Sequence, residues 1–224
     1  YLLCPKTFFS HKAEGKDPHE DVTKRLQNAM GIGYAELKER HVQDYVSLMG
    51  RVDLDLGGKE DARYTDELLE SFRQGESIPY LEELYFQYGR HLLVSSSRKG
   101  SLPASLQGVW TAHDKSPWGS GFWHNINIQM NYWPAFVTNL GKTFDAYADF
   151  FLAYLPYAQT SASKWVQEEN PTSYEEGEGK CGWIIGTGAF AYEIEGMRHQ
   201  THSGPGTGGM TSRLFYDAYA FTLD

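Results

Sequence analysis

Four carboxamides stand within seven residues at Asn125, Asn127, Gln129 and Asn131, flanked by Trp123, His124, Tyr132 and Trp133. An amide donates and accepts hydrogen bonds at once, and an aromatic ring offers a flat apolar face. Together they suit a sugar, whose hydroxyls need both kinds of partner and whose C–H faces stack on rings. Two local structures satisfy the pattern. With Ile126, Ile128 and Met130 between the amides, an extended chain sends all four to one side. Equally, Asn125 or Asn127 opens a helix that carries Gln129 and Met130, since Asn is a good N-cap. A single Asn in such a place most often closes a turn or a cap. Four amides exceed what capping needs.

The same mixture continues upstream. Residues 95–121 lack helical periodicity and contain Pro103, Gly108, Pro117, Gly119 and Gly121, which predicts a long loop of the kind that usually carries function. The candidate sugar contacts are Trp110, His113, Asp114 and Trp118 on this loop, Trp123 and His124 at its end, and Trp183 and His202 further on. For any one of these Trp residues, burial as a pin for the loop is an even alternative.

The elements that must position these residues are helices. Punctuation by Gly and Pro predicts helices over 21–30, 34–49, 65–73 with Thr65 as cap, and 79–95 opened by Ile78-Pro79. His41 falls on the apolar stripe of the second helix and is expected in the core. Val52, Leu54 and Leu56 alternate with acids, which predicts a short strand. After the amide cluster one helix is completed over 136–140, another runs over 143–169 with a kink at Pro156, and a last one covers 210–221. The 199–209 stretch is expected to be a glycine-rich loop. Residues 1–20 are expected to be a strand and connector ending a β domain, 21–75 a helical linker region, and 76–224 the main helical domain.

Composition narrows the partners. The 224 residues include 29 Asp plus Glu against 20 Lys plus Arg, a net charge of −9, with no basic cluster longer than a pair. That excludes a nucleic-acid footprint. No apolar run is long enough to span a bilayer. Cys4 and Cys181 are too far apart in sequence to be assigned as a pair. No metal or other cofactor is expected: Glu175, Glu176 and Glu178 lack a calcium-loop pattern, and His199 and His202 have no third ligand close in sequence. The partner expected is an oligosaccharide or glycoconjugate, with self-association through exposed apolar helix faces, among them Leu214, Phe215 and Phe221 of the last helix.

The run His124-Asn125-Ile126-Asn127-Ile128-Gln129-Met130-Asn131-Tyr132-Trp133-Pro134-Ala135 closely resembles the signature of glycoside hydrolase family 95, the inverting α-L-fucosidases. Tyr88-Gly89-Arg90-His91-Leu92-Leu93, then Ser95-Ser96-Ser97-Arg98, then Pro103-Ala104-Ser105-Leu106-Gln107-Gly108-Val109-Trp110 match the family in order and spacing. The resemblance covers residues 37–224. It implies a mainly α fold in which 76–224 form the N-terminal part of an (α/α)6 barrel of helical hairpins, with long loops at the active-site end. It also implies that Asn125 and Asn127 hold the water that attacks the sugar, while a downstream Glu serves as acid and a downstream Asp assists. Neither carboxylate has a match here, so the chain is expected to be an incomplete catalytic domain, inactive alone. The family often has His where this chain has Trp123.

Two functional classes follow. One is a glycosidase acting on terminal α-L-fucosyl or α-L-galactosyl linkages; the other is a noncatalytic carbohydrate-binding or assembly protein on the same fold. A phosphorylase on this fold ranks last, because the Thr201–Gly209 stretch has no Lys or Arg to hold an anion.

Overall fold

The structure is a computed structural model that describes residues 19–114, 116–189 and 206–223. It is mainly helical, as expected. Eight α-helices occur among these residues: α1 His19–Ile32, α2 Tyr34–Met49, α3 Thr65–Arg73, α4 Pro79–Ser96, α5 Asn127–Tyr132, α6 Pro134–Val137, α7 Phe144–Glu169 and α8 Gly206–Thr222. The one sheet among the described residues pairs β1 Phe122–Trp123 with β2 Gly188–Ala189 in antiparallel register, Phe122 opposite Ala189 and Trp123 opposite Gly188. The strand and connector expected before residue 19 lie outside the described residues.

The core is built along α7, which spans 26 residues. Phe144, Tyr147, Phe151, Tyr154 and Ala158 recur at intervals of three and four, so they share one helical face and are buried together. Their rings stack closely, with centroids 5.2 Å apart for Phe144–Tyr147 and 4.5 Å for Tyr147–Phe151. Leu93 and Val94 of α4, Ile128 and Tyr132 of α5, and Leu214 of α8 close over this face. Pro156 lies within α7 at an exposed position, where its missing N–H costs one ladder bond, and Thr160 Oγ1 donates to its carbonyl at 2.9 Å.

Several expectations are corrected. His41 is exposed and stacks beside Tyr45, 6.2 Å between centroids, rather than entering the core. Thr65 is the first helical residue and not the cap; the backbone N–H of Tyr64 is held instead by the Glu67 carboxylate at 2.8 Å. Val52–Leu56 forms no strand. The helix expected to run on from the amide cluster and be completed over 136–140 is instead two short pieces, α5 and α6, which meet at Trp133 and Pro134 because a proline cannot donate to the preceding turn, and the second stops at Val137. Gly206–Gly209 open α8 instead of forming a loop. Leu214 is buried, whereas Tyr216, Tyr219 and Phe221 make the exposed side of α8.

Arg90, from the middle of α4, sits 2% exposed against the end of α2. Its guanidinium donates to the carbonyls of Leu48 (3.3 Å), Met49 (2.9 Å) and Val52 (2.8 Å) and to Gln87 Oε1 (2.8 Å). A cation thus gathers carbonyls at the end of α2 and just beyond it, where the helix supplies few N–H partners. Its removal strands several buried acceptors. Arg90→Leu is therefore expected to cost about 3 kcal/mol of folding stability. The check is the urea midpoint with its slope unchanged.

Candidate functional site

The amide cluster lies where the chain leaves the short sheet and enters α5. Gly188 makes the sheet possible at this point, since a Cβ there would fall 2.7–3.2 Å from the Trp123 ring. His124 follows β1. Its N–H donates to the Thr187 carbonyl at 2.7 Å, and its Nδ1 lies 3.3 Å from the Gly186 carbonyl, which selects the tautomer with the proton on Nδ1. The imidazole is fully buried among Phe150, Phe151 and Tyr154. Burial lowers its pKa from 6.5 to about 3, so it is neutral under ordinary conditions. Expected as a sugar contact, His124 is instead a packed core residue.

The four amides divide into two pairs. Gln129 is completely buried, and its Nε2 donates to the His124 carbonyl at 2.6 Å and to Thr211 Oγ1 of α8 at 3.2 Å. Asn131 Nδ2 donates to the carbonyls of Ala104 and Ser105 at 3.2 and 3.1 Å. These two anchor structure. Asn125 is exposed and Asn127 half-buried, and neither side chain makes a hydrogen bond to a described residue or caps α5. Of the two local structures the pattern allowed, the helix is the one that forms, with Asn127 as its first residue. An α-helix of six residues has little stability of its own. Tyr132 adds a third anchor: Ala104 N donates to its Oη at 2.9 Å, and Ser97 Oγ lies 2.7 Å away. Burial raises the Tyr132 phenol to about 12, so it stays protonated.

The preceding loop is tied to itself. Leu106 N donates to Gly121 O at 3.2 Å, Gln107 Nε2 donates to Pro117 O at 3.0 Å, and Ser120 Oγ donates to Gln107 Oε1. Trp118 and Ser120 adopt left-handed backbone conformations, φ 57° and 52°, unusual for residues with a Cβ and costing on the order of 1 kcal/mol each. The outcome is a Trp118 side chain 75% exposed, standing edge-on to Trp123 with centroids 6.3 Å apart. His113 and Asp114 are exposed, and His113 bonds only to neighbouring Thr111 through backbone atoms. No hydrogen bond or ring contact joins them to the amides among the described residues.

Two hollows border this region. One, of about 310 Å³, lies between α4 and the loop and includes Trp110 and Asn131. The other, apolar, of about 190 Å³, runs between α7 and α8 and has Trp183 at its edge. The expected sugar contacts are thus spread: Trp118 and Trp123 adjoin each other, Trp110 belongs to one hollow and Trp183 to the other. His202, with His199, lies outside the described residues. Among the described residues no group of three or more His, Cys, Asp or Glu is placed to hold a metal, and no helix is long and apolar enough to cross a membrane. The hollow beside Asn131 was missed in the sequence. A glycine inside the α4 pattern, Gly89, was its one available signal.

The described "Glycosyl hydrolase family 95 catalytic domain" matches residues 33–224 of the chain. The chain is similar to a probable alpha-fucosidase A of Aspergillus niger, 43% identical over 140 residues, 61% of this chain and 17% of that protein. It is likewise similar to a probable alpha-fucosidase A of Aspergillus oryzae, 41% identical over 133 residues, 58% of this chain and 18% of that protein. An alpha-L-fucosidase 2 of Arabidopsis thaliana is 38% identical over 143 residues, 61% and 17% of the two chains. The chain spans less than a fifth of the length of these relatives.

Two outcomes follow from the geometry. Gln129→Ala is expected to destabilise by about 2–3 kcal/mol by leaving a buried carbonyl and hydroxyl without their donor, while Asn125→Ala changes stability by under about 0.5 kcal/mol. Thermal melts of the two variants compare them directly. His124 supplies a pH dependence. Its folded pKa of about 3 lies below its ordinary 6.5, so the unfolded chain binds a proton that the folded chain refuses. Stability is complete above pH 6.5 and falls as pH drops towards 3, by up to about 1.4 kcal/mol per pH unit. Denaturation between about pH 6.5 and 5, before carboxylates titrate, should show this slope, and His124→Phe should remove it.

Proposed function

The chain belongs to glycosyl hydrolase family 95, and from that premise we propose that it supplies the water-positioning part of an inverting α-L-fucosidase acting on terminal α-L-fucosyl or α-L-galactosyl linkages. The observation that carries this reading is the division of the amides: two are spent on structure, and Asn125 and Asn127 are left with their hydrogen-bonding capacity open to solvent. The names of the relatives, alpha-fucosidases from fungi and a plant, support the same substrate class.

Inversion requires a water on the face of the sugar opposite the leaving oxygen, with an acid on one side and a base on the other. A carboxamide has no proton to lose or gain near neutral pH. Its role is orientation: the water donates one O–H to an amide carbonyl oxygen and accepts from the other amide's N–H, so its second O–H is kept for a carboxylate base and its remaining lone pair is turned towards the anomeric carbon. Two such amides, one in the turn before α5 and one at its first residue, fix the water before reaction, which lowers the entropic part of the barrier. The proton itself must go to a carboxylate acting through that water, and the leaving oxygen takes its proton from a second one. The anchored α5 and the sheet hold both Asn residues relative to the core. We read 76–224 as the N-terminal part of the catalytic domain, which offers the exposed Trp118 to a sugar face.

The test uses the complete protein. Asn125→Ala and Asn127→Ala are each expected to lower kcat on an aryl α-L-fucoside by about 100-fold with KM little changed, since the lost contact matters most in the transition state. Melting temperatures should stay near that of the parent. NMR of the first-formed sugar should show the β anomer; α-L-fucose as the first product would overturn inversion. A noncatalytic protein would instead show fucoside binding without turnover.

A further inference from the structure

A threonine within a helix commonly turns its hydroxyl back onto a carbonyl of its own helix. Thr160 of α7 and Thr222 of α8 do this, donating to the carbonyls of Pro156 at 2.9 Å and Ala218 at 2.7 Å. Thr211 of α8, buried at 2% exposure, faces another element instead: its Oγ1 accepts from Gln129 Nε2 of α5 at 3.2 Å. Its backbone is held as well, because Tyr147 Oη of α7 donates to the Thr211 carbonyl at 3.2 Å. Burial pushes the Tyr147 phenol well above its ordinary value, so it keeps the proton that this bond uses. Helix α8 opens with Gly206, Gly208 and Gly209, which are weak helix formers. Tyr147 therefore supplies a restraint that the first turn of α8 lacks.

Gln129 passes that restraint to the amides. Its Nε2 carries two hydrogens in one plane at a fixed angle, one directed to Thr211 Oγ1 and the other to the His124 carbonyl at 2.6 Å. A carbonyl can only accept, which settles the end of the amide that faces it. The His124 carbonyl belongs to the peptide that leads into Asn125, so this bond sets the plane from which Asn125 projects. Gln129 Oε1 is buried and has no hydrogen-bond partner among the described residues. The two Nε2 bonds are thus the polar contacts that orient the amide. With Thr211 Oγ1 removed, one bond remains and the amide can turn about it. Asn127 has the α5 backbone to hold it, whereas Asn125 lies ahead of the helix and depends on this turn.

We propose that Thr211 is a positioning residue for the reaction: it holds the Gln129 amide, and through it places Asn125 where that residue orients the attacking water. This inference rests on the fucosidase reading above. Thr211 touches neither water nor sugar in this scheme; its effect reaches them through two hydrogen bonds.

The test is Thr211→Val in the complete protein, alone and combined with Asn125→Ala, with Thr211→Ser beside them. Valine keeps the branched shape and removes the acceptor, and serine restores it. Thr211→Val is expected to lower kcat on an aryl α-L-fucoside about tenfold with KM changed less than about twofold, because a small misplacement of Asn125 matters mainly in the transition state. Thr211→Ser should bring kcat back to within about threefold of the parent. In the Asn125→Ala background the valine substitution should change kcat by less than about twofold, since the group through which it acts is gone. If valine is not tolerated by the fold, Thr211→Ala carries the same comparison. A loss of equal size in both backgrounds, or an equal loss with serine, assigns Thr211 to general packing and overturns the proposal. Parental kcat in a folded Thr211→Val protein also overturns it, and all three results leave the fucosidase assignment standing. Parental kcat in Asn125→Ala, or no turnover by the parent protein, defeats the functional reading by itself. The placement of Asn125 is then read from a crystal structure of Thr211→Val: a turned Gln129 amide with Asn125 displaced by about 1 Å supports it, and an unmoved Asn125 overturns it.

Discussion

Gln129 is the interaction on which the site depends. An uncharged side chain with no exposure joins the His124 carbonyl, before α5, to Thr211 on the last helix. Helix α5 has only six residues and stands next to a proline-led fragment, so local hydrogen bonding cannot hold it in place. Gln129, Asn131 and Tyr132 replace length with anchoring, to α8 on one side and to the Ala104–Ser105 backbone on the other. With the inner amides committed, the two that precede them are freed from structural duty. Exposure of Asn125 and burial of Gln129 are two results of the same turn.

Much of the fold was legible because punctuation and periodicity agree. Gly33 and Gly50 bracket α2, Pro79 opens α4, and the Phe and Tyr spacing of α7 matches its buried face. Failures came where long-range partners decide. Val52 to Leu56 alternates like a strand, yet a strand needs a neighbour to complete its ladder. Here the Val52 carbonyl is taken by Arg90, and the Leu56 N–H by the Glu83 carboxylate at 2.6 Å, so side chains of α4 consume the groups a second strand would use. His41 has the spacing of a core residue, but among the described residues no element covers that turn of α2.

The amide cluster shows the same limit within a few residues. Composition announced polar recognition, and four similar side chains looked alike in sequence. Their different fates depend on Thr211 and on Ala104, some 80 residues downstream and 27 upstream of the amides they bind. His124 is the sharper case. It stands between Trp123 and the first of the amides, whereas its neighbours in space are three aromatic rings of α7, and no local pattern encodes that change of surroundings.

The loop before the site reveals how the molecule distributes its rigidity. Trp118 and Ser120 hold left-handed conformations that a relaxed chain avoids, and each is tolerable only because bonds around it over-determine the path. Ser120 is fixed by Gln107, Gln107 by Pro117, and Leu106 by Gly121. The strain has one visible product, an indole turned out to water beside Trp123. Folding alone would bury that indole, since burying a side chain of this size is favourable by roughly 2–3 kcal/mol. Keeping Trp118 outside therefore opposes the hydrophobic effect with backbone strain added, whereas Phe144, Tyr147, Phe151 and Tyr154 of α7 go inward. A ligand with an apolar ring face reverses that imbalance when it covers the indole, and this is the physical ground for locating sugar recognition on the loop rather than in the core.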